Sequence, residues 1–329
     1  MNTRRKGSAL LMVLWLSAAL SAIAFSVALT VRGEISRADT SLEGLRAYYL
    51  ASGAADRALN YMLYGPGPRN PMGMPRFWEP GMPLLRLPFP HGEAVVEVIP
   101  ESAKFNINRI SQDELGKVLV VLGLPPEMVM QVTQAVLHWR GGGSGPFDQM
   151  YLTRVPSFRA PHASIEQIEE LMSVAGITPE LFYGGFVKTP AGGLLPRPGL
   201  RDCVSVYSGS TAFDINTVSP AVMLALGVPP QGVDAVVNMR RRMPLRPEQM
   251  PLVAAMLGPG AGRFRVGGDR IYTLRATARL RRPDGTLSDL RRSVAMTVQL
   301  NSKTSQDGFR ILGWQDQAAG RQLFDVWPN

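Results

Sequence analysis

The chain is short of the residues that staple small folds together. Its 329 residues include one cysteine, Cys203, so no intramolecular disulfide can form in any redox compartment. Histidines number only three, His91, His138 and His162, and with Cys203 they lie too far apart in sequence to show a zinc-ligand spacing. Catalytic signatures are missing as well. There is no Walker-type loop and no dinucleotide fingerprint. Gly142-Gly143-Ser144-Gly145-Pro146 is not a nucleophile elbow, because the last glycine is absent and no strand precedes it. The expectation is a protein that is not an enzyme and needs no cofactor. With 45% hydrophobic and 19% charged residues the chain is too apolar for general disorder, and its length allows two or three domains. Its sixteen methionines read as core filling.

Charge is absent where it matters most. Arg4, Arg5, Lys6 and Gly7 are followed by SALLMVLWLSAALSAIAFSVALTV, residues 8–31, without one ionisable side chain. As a helix these residues reach roughly 36 Å, against a hydrocarbon core of about 30 Å. Cations precede the run, whereas Arg32, Glu34, Arg37 and Asp39 after it are of mixed sign. The positive-inside bias therefore keeps the N-terminus cytoplasmic and exports the rest. A secretory signal peptide is one reading, with Ala22-Ile23-Ala24 as the cleavage site. Against it, the apolar run continues seven residues past Ala24, the leader is very short, and Gly7 stands where charge gives way to hydrophobe.

A basic leader ending in glycine before a full-length apolar helix resembles the class III signal of type IV pilins and type II secretion pseudopilins. The resemblance implies cleavage by a prepilin peptidase between Gly7 and Ser8, with methylation of the new N-terminus at Ser8. Most pilins carry glutamate at the fifth mature position, where this chain has Met12. In the family that carboxylate neutralises a neighbour's α-amino group, a pairing that matters because an uncompensated charge in an apolar bundle is costly. Lacking the glutamate and unusually long, the chain resembles the minor pseudopilin K (GspK) family.

Downstream, Ile35, Ala38, Leu42, Leu45, Tyr49, Ser52 and Leu59 keep a three-four spacing that predicts one buried helical stripe. RAYYLASGAADRALNYML, residues 46–63, also resembles the pseudopilin stretch, and Gly65-Pro66-Gly67-Pro68 stops the helix. Residues 65–91, rich in Pro, Gly and Met, read as a loop. AVVEVI near Glu93–Ile99 predicts a strand. YTLRATARL (272–280) and the alternation of Val294, Met296, Val298 and Leu300 predict a hairpin around Pro283-Asp284-Gly285. The expected class is α+β: a pilin-like long N-terminal helix with an antiparallel sheet, interrupted by a large α-helical domain. The expected divisions are a leader at 1–7, a transmembrane part at 8–31, and a spine with the first part of the pilin-like domain at 32–103. An inserted helical domain at 104–260, a hairpin at 261–302 and a tail at 303–329 complete the chain.

The insert repeats itself. Phe105-Asn106-Ile107-Asn108-Arg109-Ile110-Ser111 recurs as Phe213-Asp214-Ile215-Asn216-Thr217-Val218-Ser219, and each copy leads through a helix to Leu-Gly-hydrophobe-Pro-Pro and a second helix. Residues 164–182 between the copies predict more helix. These pairs resemble the helix-hairpin-helix fold, whose DNA-binding members offer hairpin N–H groups to a phosphate. Here Pro125 and Pro229 remove an N–H at the same place in both copies, so DNA is a disfavoured partner and a structural repeat the better reading. Residues 240–292 hold thirteen arginines against four acids, a net charge of +9 equal to that of the whole chain. A solvated hairpin face, with Arg275 and Arg279 outward, is the expectation, ahead of an acidic partner. The K family also implies calcium sites in its helical domain. Calcium wants six to eight oxygens, yet the loop 138–148 offers one carboxylate, Asp148, so calcium is disfavoured and Asp148 is a weak metal candidate.

The resemblance implies a single-pass inner-membrane protein with periplasmic domains. It would cap a pseudopilus tip with other minor pseudopilins, contact inner-membrane secretion components and help initiate assembly for export of folded proteins. A minor pilin of a type IV pilus or competence system is the alternative, followed by a membrane-anchored helix-hairpin-helix DNA-binding protein.

Overall fold

A computed structural model describes residues 6–65, 67–69, 75–80, 82–141, 145–188, 192–209, 211–268, 270–301 and 308–318. It opens on one unbroken helix, α1 (Lys6–Tyr64), about 88 Å long at 1.5 Å per residue. Gly33 and Gly53 have open space around their Cα atoms and interrupt nothing. Gly65, with φ of +71°, ends the helix where the sequence placed its stop.

A five-stranded antiparallel sheet packs on the last third of α1. Its strands β1 (Leu84–Phe89), β2 (Gly92–Pro100), β3 (Ile271–Arg281), β4 (Leu287–Leu300) and β5 (Phe309–Gln315) lie side by side in chain order. The chain therefore leaves the sheet after β2 and re-enters it beside the same strand. Rows such as Val96–Ala276–Val294 and Val98–Leu274–Met296 face the helix. The opposite face pairs Thr277 with Ser293 and Thr273 with Thr297 through hydroxyl hydrogen bonds of 2.8 and 2.9 Å.

Two strands correct the sequence reading. Residues 65–91 are not all loop. LLRLPF forms β1, with Leu85 and Leu87 inward, and Pro88 is tolerated because β1 is an edge strand. Trp78 of the same segment is buried against the Tyr272 ring, its indole N–H donating to the Met82 carbonyl. The tail likewise supplies β5, tied to α1 where the Tyr48 and Trp314 donors meet one Asp316 oxygen at 2.8 and 2.7 Å.

Between β2 and β3 the chain forms α2 (Gln112–Val121), α3 (Pro126–Trp139), α4 (Pro146–Leu152), α5 (Pro179–Tyr183), α6 (Pro220–Ala225), α7 (Pro230–Arg242) and α8 (Met250–Leu257). Their apolar residues make a second core around Leu119, Val136, Tyr151, Phe213 and Val236, separate from the core beneath the sheet. Residues 164–182 hold less helix than the sequence suggested: a 3-10 segment, Ile168–Ser173, and the short α5, because Gly176 and Pro179 break the run. Glu101 joins the two regions at the exit from β2. Its carboxylate takes a 2.7 Å hydrogen bond from the Thr273 hydroxyl of the sheet and pairs with Lys104 at 3.1 Å.

Candidate functional site

The first candidate surface is α1 itself. Its apolar half contains an 18-residue window of mean hydropathy 2.2, none of it buried within the protein. Length and composition therefore suit a membrane crossing. In the remaining half the buried face is small: Ala47, Ala51, Ala54, Ala55 and Ala58, continuing to Leu59 and Met62. This overturns the stripe predicted from spacing. Ile35, Leu42, Leu45 and Tyr49 are exposed, Leu45 to 51% and Tyr49 to 65%, and of the predicted set only Leu59 is fully buried. At 100° per residue the two stripes lie on roughly opposite faces. The reason is distance: alanines on the helix meet Ala276 and Ala278 on β3, and so close an approach leaves no room for leucine. The larger residues are left facing outward, in line with the membrane run.

Of the predicted processing residues, Lys6 begins α1 and Gly7 and Ser8 follow within its first turn, while Arg4 and Arg5 lie outside the described residues. Met12 is on the helix and 76% exposed.

The second candidate is the repeat. Asn106 and Asp214 each accept a hydrogen bond from the backbone two residues on, Asn108 N at 2.8 Å and Asn216 N at 3.1 Å. These are Asx turns, the local geometry that short polar side chains favour. Asn108 and Asn216 then act as mock peptide groups. The first pairs with both the N–H and the carbonyl of Ile165, the second with both of Leu245, at 2.8–3.0 Å. Ser111 and Ser219 cap the helices that follow. Phe105 and Phe213 meet edge to face at 5.1 Å, so the two copies join through equivalent residues.

An equivalence missed in the sequence closes each copy. Arg140, after α3, donates to the carbonyls of Ile107 and Ile110 at 2.5 and 2.7 Å. Arg240, in α7, donates to those of Ile215 and Val218 at 2.8 Å each. Burial pushes the Arg240 guanidinium down to about 10, and lowers Arg140 in the same direction. The hairpin N–H groups are spent internally too. Gly123 and Leu124 donate to Val120 and Leu119, and Gly227 and Val228 to Leu224 and Met223, closing Schellman motifs around glycines at φ +81° and +84°.

The basic segment is less of a solvated face than expected. Arg275 pairs with Glu97 at 3.2 Å across β2 and β3, both side chains largely buried, and Arg279 lies folded down to donate to the Ser288 carbonyl. Arg263 bridges to Glu114 and to the Thr211 carbonyl. Alternation alone hid this, because an arginine leaving a strand can lie along the sheet and pair with its neighbours.

Asp148 has company that chain distance concealed. His138 at the end of α3 and His162 in the loop after α4 both face it, with the three ligand atoms all within 4.8 Å of one another. The Gly145 N–H, followed by the two histidines, holds the Asp148 carboxyl below its ordinary range. Two imidazoles and one carboxylate do not suit calcium, which needs an oxygen-rich shell.

No protein-family model matches the chain. It is 26% identical over 204 residues to the type II secretion system protein K of Klebsiella pneumoniae, a match covering 55% of this chain and 61% of that protein's length. Its fold is similar to a chain of the crystal structure of the GspK-GspI-GspJ complex from the enterotoxigenic Escherichia coli type 2 secretion system. The TM-score is 0.57 at 15% identity, covering 86% of this chain and 100% of the other. The chain is thus similar in sequence to a type II secretion system protein K and similar in its α+β fold, built on an exposed apolar helix, to a chain of the GspK-GspI-GspJ complex.

Proposed function

We propose that the chain is a structural subunit, a minor pseudopilin that sits at the tip of a type II secretion pseudopilus and helps start its assembly. The observation that carries this reading is the two-faced helix. One face of α1 is used up by the sheet through alanines, while Ile35, Leu42, Leu45 and Tyr49 stay exposed and continue the membrane run outward. Exposed apolar surface of that length marks a protein or membrane contact. Helices of small pseudopilins, of the kind named with GspK in the similar complex, are the occupants that fit it. Met12 supports a tip position, since a subunit with no carboxylate there has no α-amino group above it to neutralise. A bulky helical region is also easier to place at a filament's end than to repeat down its length.

In this reading a prepilin peptidase cuts between Gly7 and Ser8, Ser8 is methylated, and residues 8–31 anchor the protein in the inner membrane with its folded part in the periplasm. The two folded regions provide shape and contacts, and export of folded proteins belongs to the whole apparatus. Sequencing the N-terminus of chain purified from membranes tests it. Mature protein beginning at Ser8, converted to unprocessed chain in a host lacking the peptidase, is the expected result. A mature N-terminus at Phe25 refutes it.

A further inference from the structure

We infer that His138, Asp148 and His162 form a binding site for a divalent transition ion of the zinc type, joining α3, α4 and the loop beyond. The three residues are ten and fourteen positions apart, a spacing that no zinc motif advertises. The fold nevertheless aims them at one point. His162 Nε2 is 3.1 Å from Asp148 Oδ1, and His138 Nε2 is 3.6 Å from Asp148 Oδ2. Around a tetrahedral zinc with bonds of about 2.0–2.1 Å, ligand atoms stand roughly 3.3–3.4 Å apart. Small side-chain rotations bring a set already within 4.8 Å to that geometry.

The surrounding hydrogen bonds prepare the site for a cation. His162 Nδ1 is 3.3 Å from the His138 carbonyl, an acceptor for an Nδ1 proton, while its Nε2 stands 3.1 Å from Asp148 Oδ1. A carbonyl that fixes the tautomer in this way is the usual support for a metal-binding histidine. Asp148 Oδ2 is held by the Gly145 N–H at 2.9 Å. Both ring nitrogens of His138 are buried without a hydrogen-bond partner, and Nε2 is the one that faces Asp148. Buried polar atoms are almost always satisfied, so an orphaned His138 Nε2 aimed at a carboxylate that His162 Nε2 also faces indicates a missing positive centre. Phe147 packs against the His138 ring and limits water on that side. His162 sits at φ +48°, a conformation uncommon for a residue other than glycine, and it is 30% exposed at its side chain, which leaves the ion a route in.

Imidazole nitrogen and one carboxylate select zinc, cobalt, nickel or copper over calcium and magnesium. Three protein ligands leave a fourth position for water. The ion's role here is structural, tying together the end of α3, the start of α4 and the loop that carries His162.

The test is titration of the full chain in detergent, stripped with chelator and then supplied with Zn²⁺ against a chromophoric competitor at pH 7.5. One Zn²⁺ per chain at micromolar affinity or tighter is expected, unaffected by millimolar Ca²⁺. Co²⁺ should give the intense visible bands of a tetrahedral site. His162→Gln and Asp148→Asn should each weaken Zn²⁺ at least tenfold, while His91→Gln leaves it unchanged. Absence of stoichiometric Zn²⁺ binding by the unmodified chain overturns the proposal, whatever the variants do. Zn²⁺ binding that survives both ligand substitutions, or that Ca²⁺ abolishes, overturns it equally.

Discussion

Replacing Ala54 with leucine, beside a separate Leu45→Ala variant, decides which face of α1 is core. Ala54 is fully buried at 0% exposure among Ala51, Ala55 and Ala58, facing a sheet surface that carries Ala276 and Ala278. Three extra carbons cannot enter a surface packed at that distance without moving the helix off the sheet. Overpacking of this kind costs about 1–3 kcal/mol. Leu45 is 51% exposed, so truncating it leaves no cavity and should change stability by no more than about 0.5 kcal/mol. With a urea dependence of about 3 kcal/mol per molar, Ala54→Leu lowers the unfolding midpoint by roughly 0.3–1 M and Leu45→Ala by less than about 0.2 M. The assay is urea unfolding of the full chain in detergent, followed by near-ultraviolet circular dichroism. Association should move the other way, with Leu45→Ala reducing co-purification with small pseudopilins while the fold stays intact. Were the Leu45 stripe the core, Leu45→Ala would open a cavity costing about 2–5 kcal/mol. A larger midpoint shift for Leu45→Ala than for Ala54→Leu therefore refutes the packing described here.

Glu101→Gln probes the joint between the two regions. Burial alone would raise the Glu101 pKa, but the Lys104 charge and hydrogen bonds from Ser205, Thr273 and Lys104 outweigh it and hold the carboxyl below its ordinary value. A lowered folded pKa means stability that is present above the unfolded pKa, near 4.5, and lost as pH falls through the folded value. The variant should lose about 3 kcal/mol at neutral pH by stranding Lys104, and should show a flatter decline below pH 5 in urea titrations. Arg240→Met leaves the Ile215 and Val218 carbonyls without their shared donor and should cost about 2–4 kcal/mol by the same measurement. Arg140→Met, at a less buried site, should cost less. Gly92→Ala places a Cβ 2.2 Å from the Arg279 carbonyl oxygen, and a thermal melt should show loss of more than about 2 kcal/mol.

What could be read in the sequence was local. The charge-free run, the helix stop at Gly65 and the alternation of β3 and β4 each declare themselves within about two dozen neighbouring residues, and the structure has them where they were read. The repeat was visible because both copies use the same side chains for the same turns. Apart from the helix expected at 164–182, which Gly176 and Pro179 break locally, what was misread depends on a partner distant in the chain. β1 and β5 are short and atypical in composition, and become strands only because an existing sheet offers them an edge. The apolar spacing on α1 was real, but hydrophobicity cannot say which stripe meets a sheet and which meets another molecule. There the smaller residues won the interior through packing distance. His138 and His162 have no shared spacing signal, since Asp148 brings them together from different elements.

The arginine clamps show how a repeat can diverge in length and keep its chemistry. Ser111 and Gly123 are twelve residues apart, against eight for Ser219 and Gly227, and Gly123 to Arg140 is seventeen against thirteen for Gly227 to Arg240. Both arms of the first hairpin are thus longer by four residues, close to one helical turn of 3.6. Lengthening one arm alone would carry its arginine a full turn past the Asx turn it must satisfy. Lengthening both moves the hairpin outward and returns Arg140 to the Ile107 and Ile110 carbonyls, just as Arg240 reaches Ile215 and Val218. The conserved quantity is the closure at the base, where the backbone turns away from the helix and its carbonyls have no helical donor. The tips are free to change, because their N–H groups are closed by their own Schellman motifs. A hairpin that bound phosphate would be constrained at its tip and tolerant at its base. Here the invariant chemistry lies at the base, which is the pattern of a scaffold.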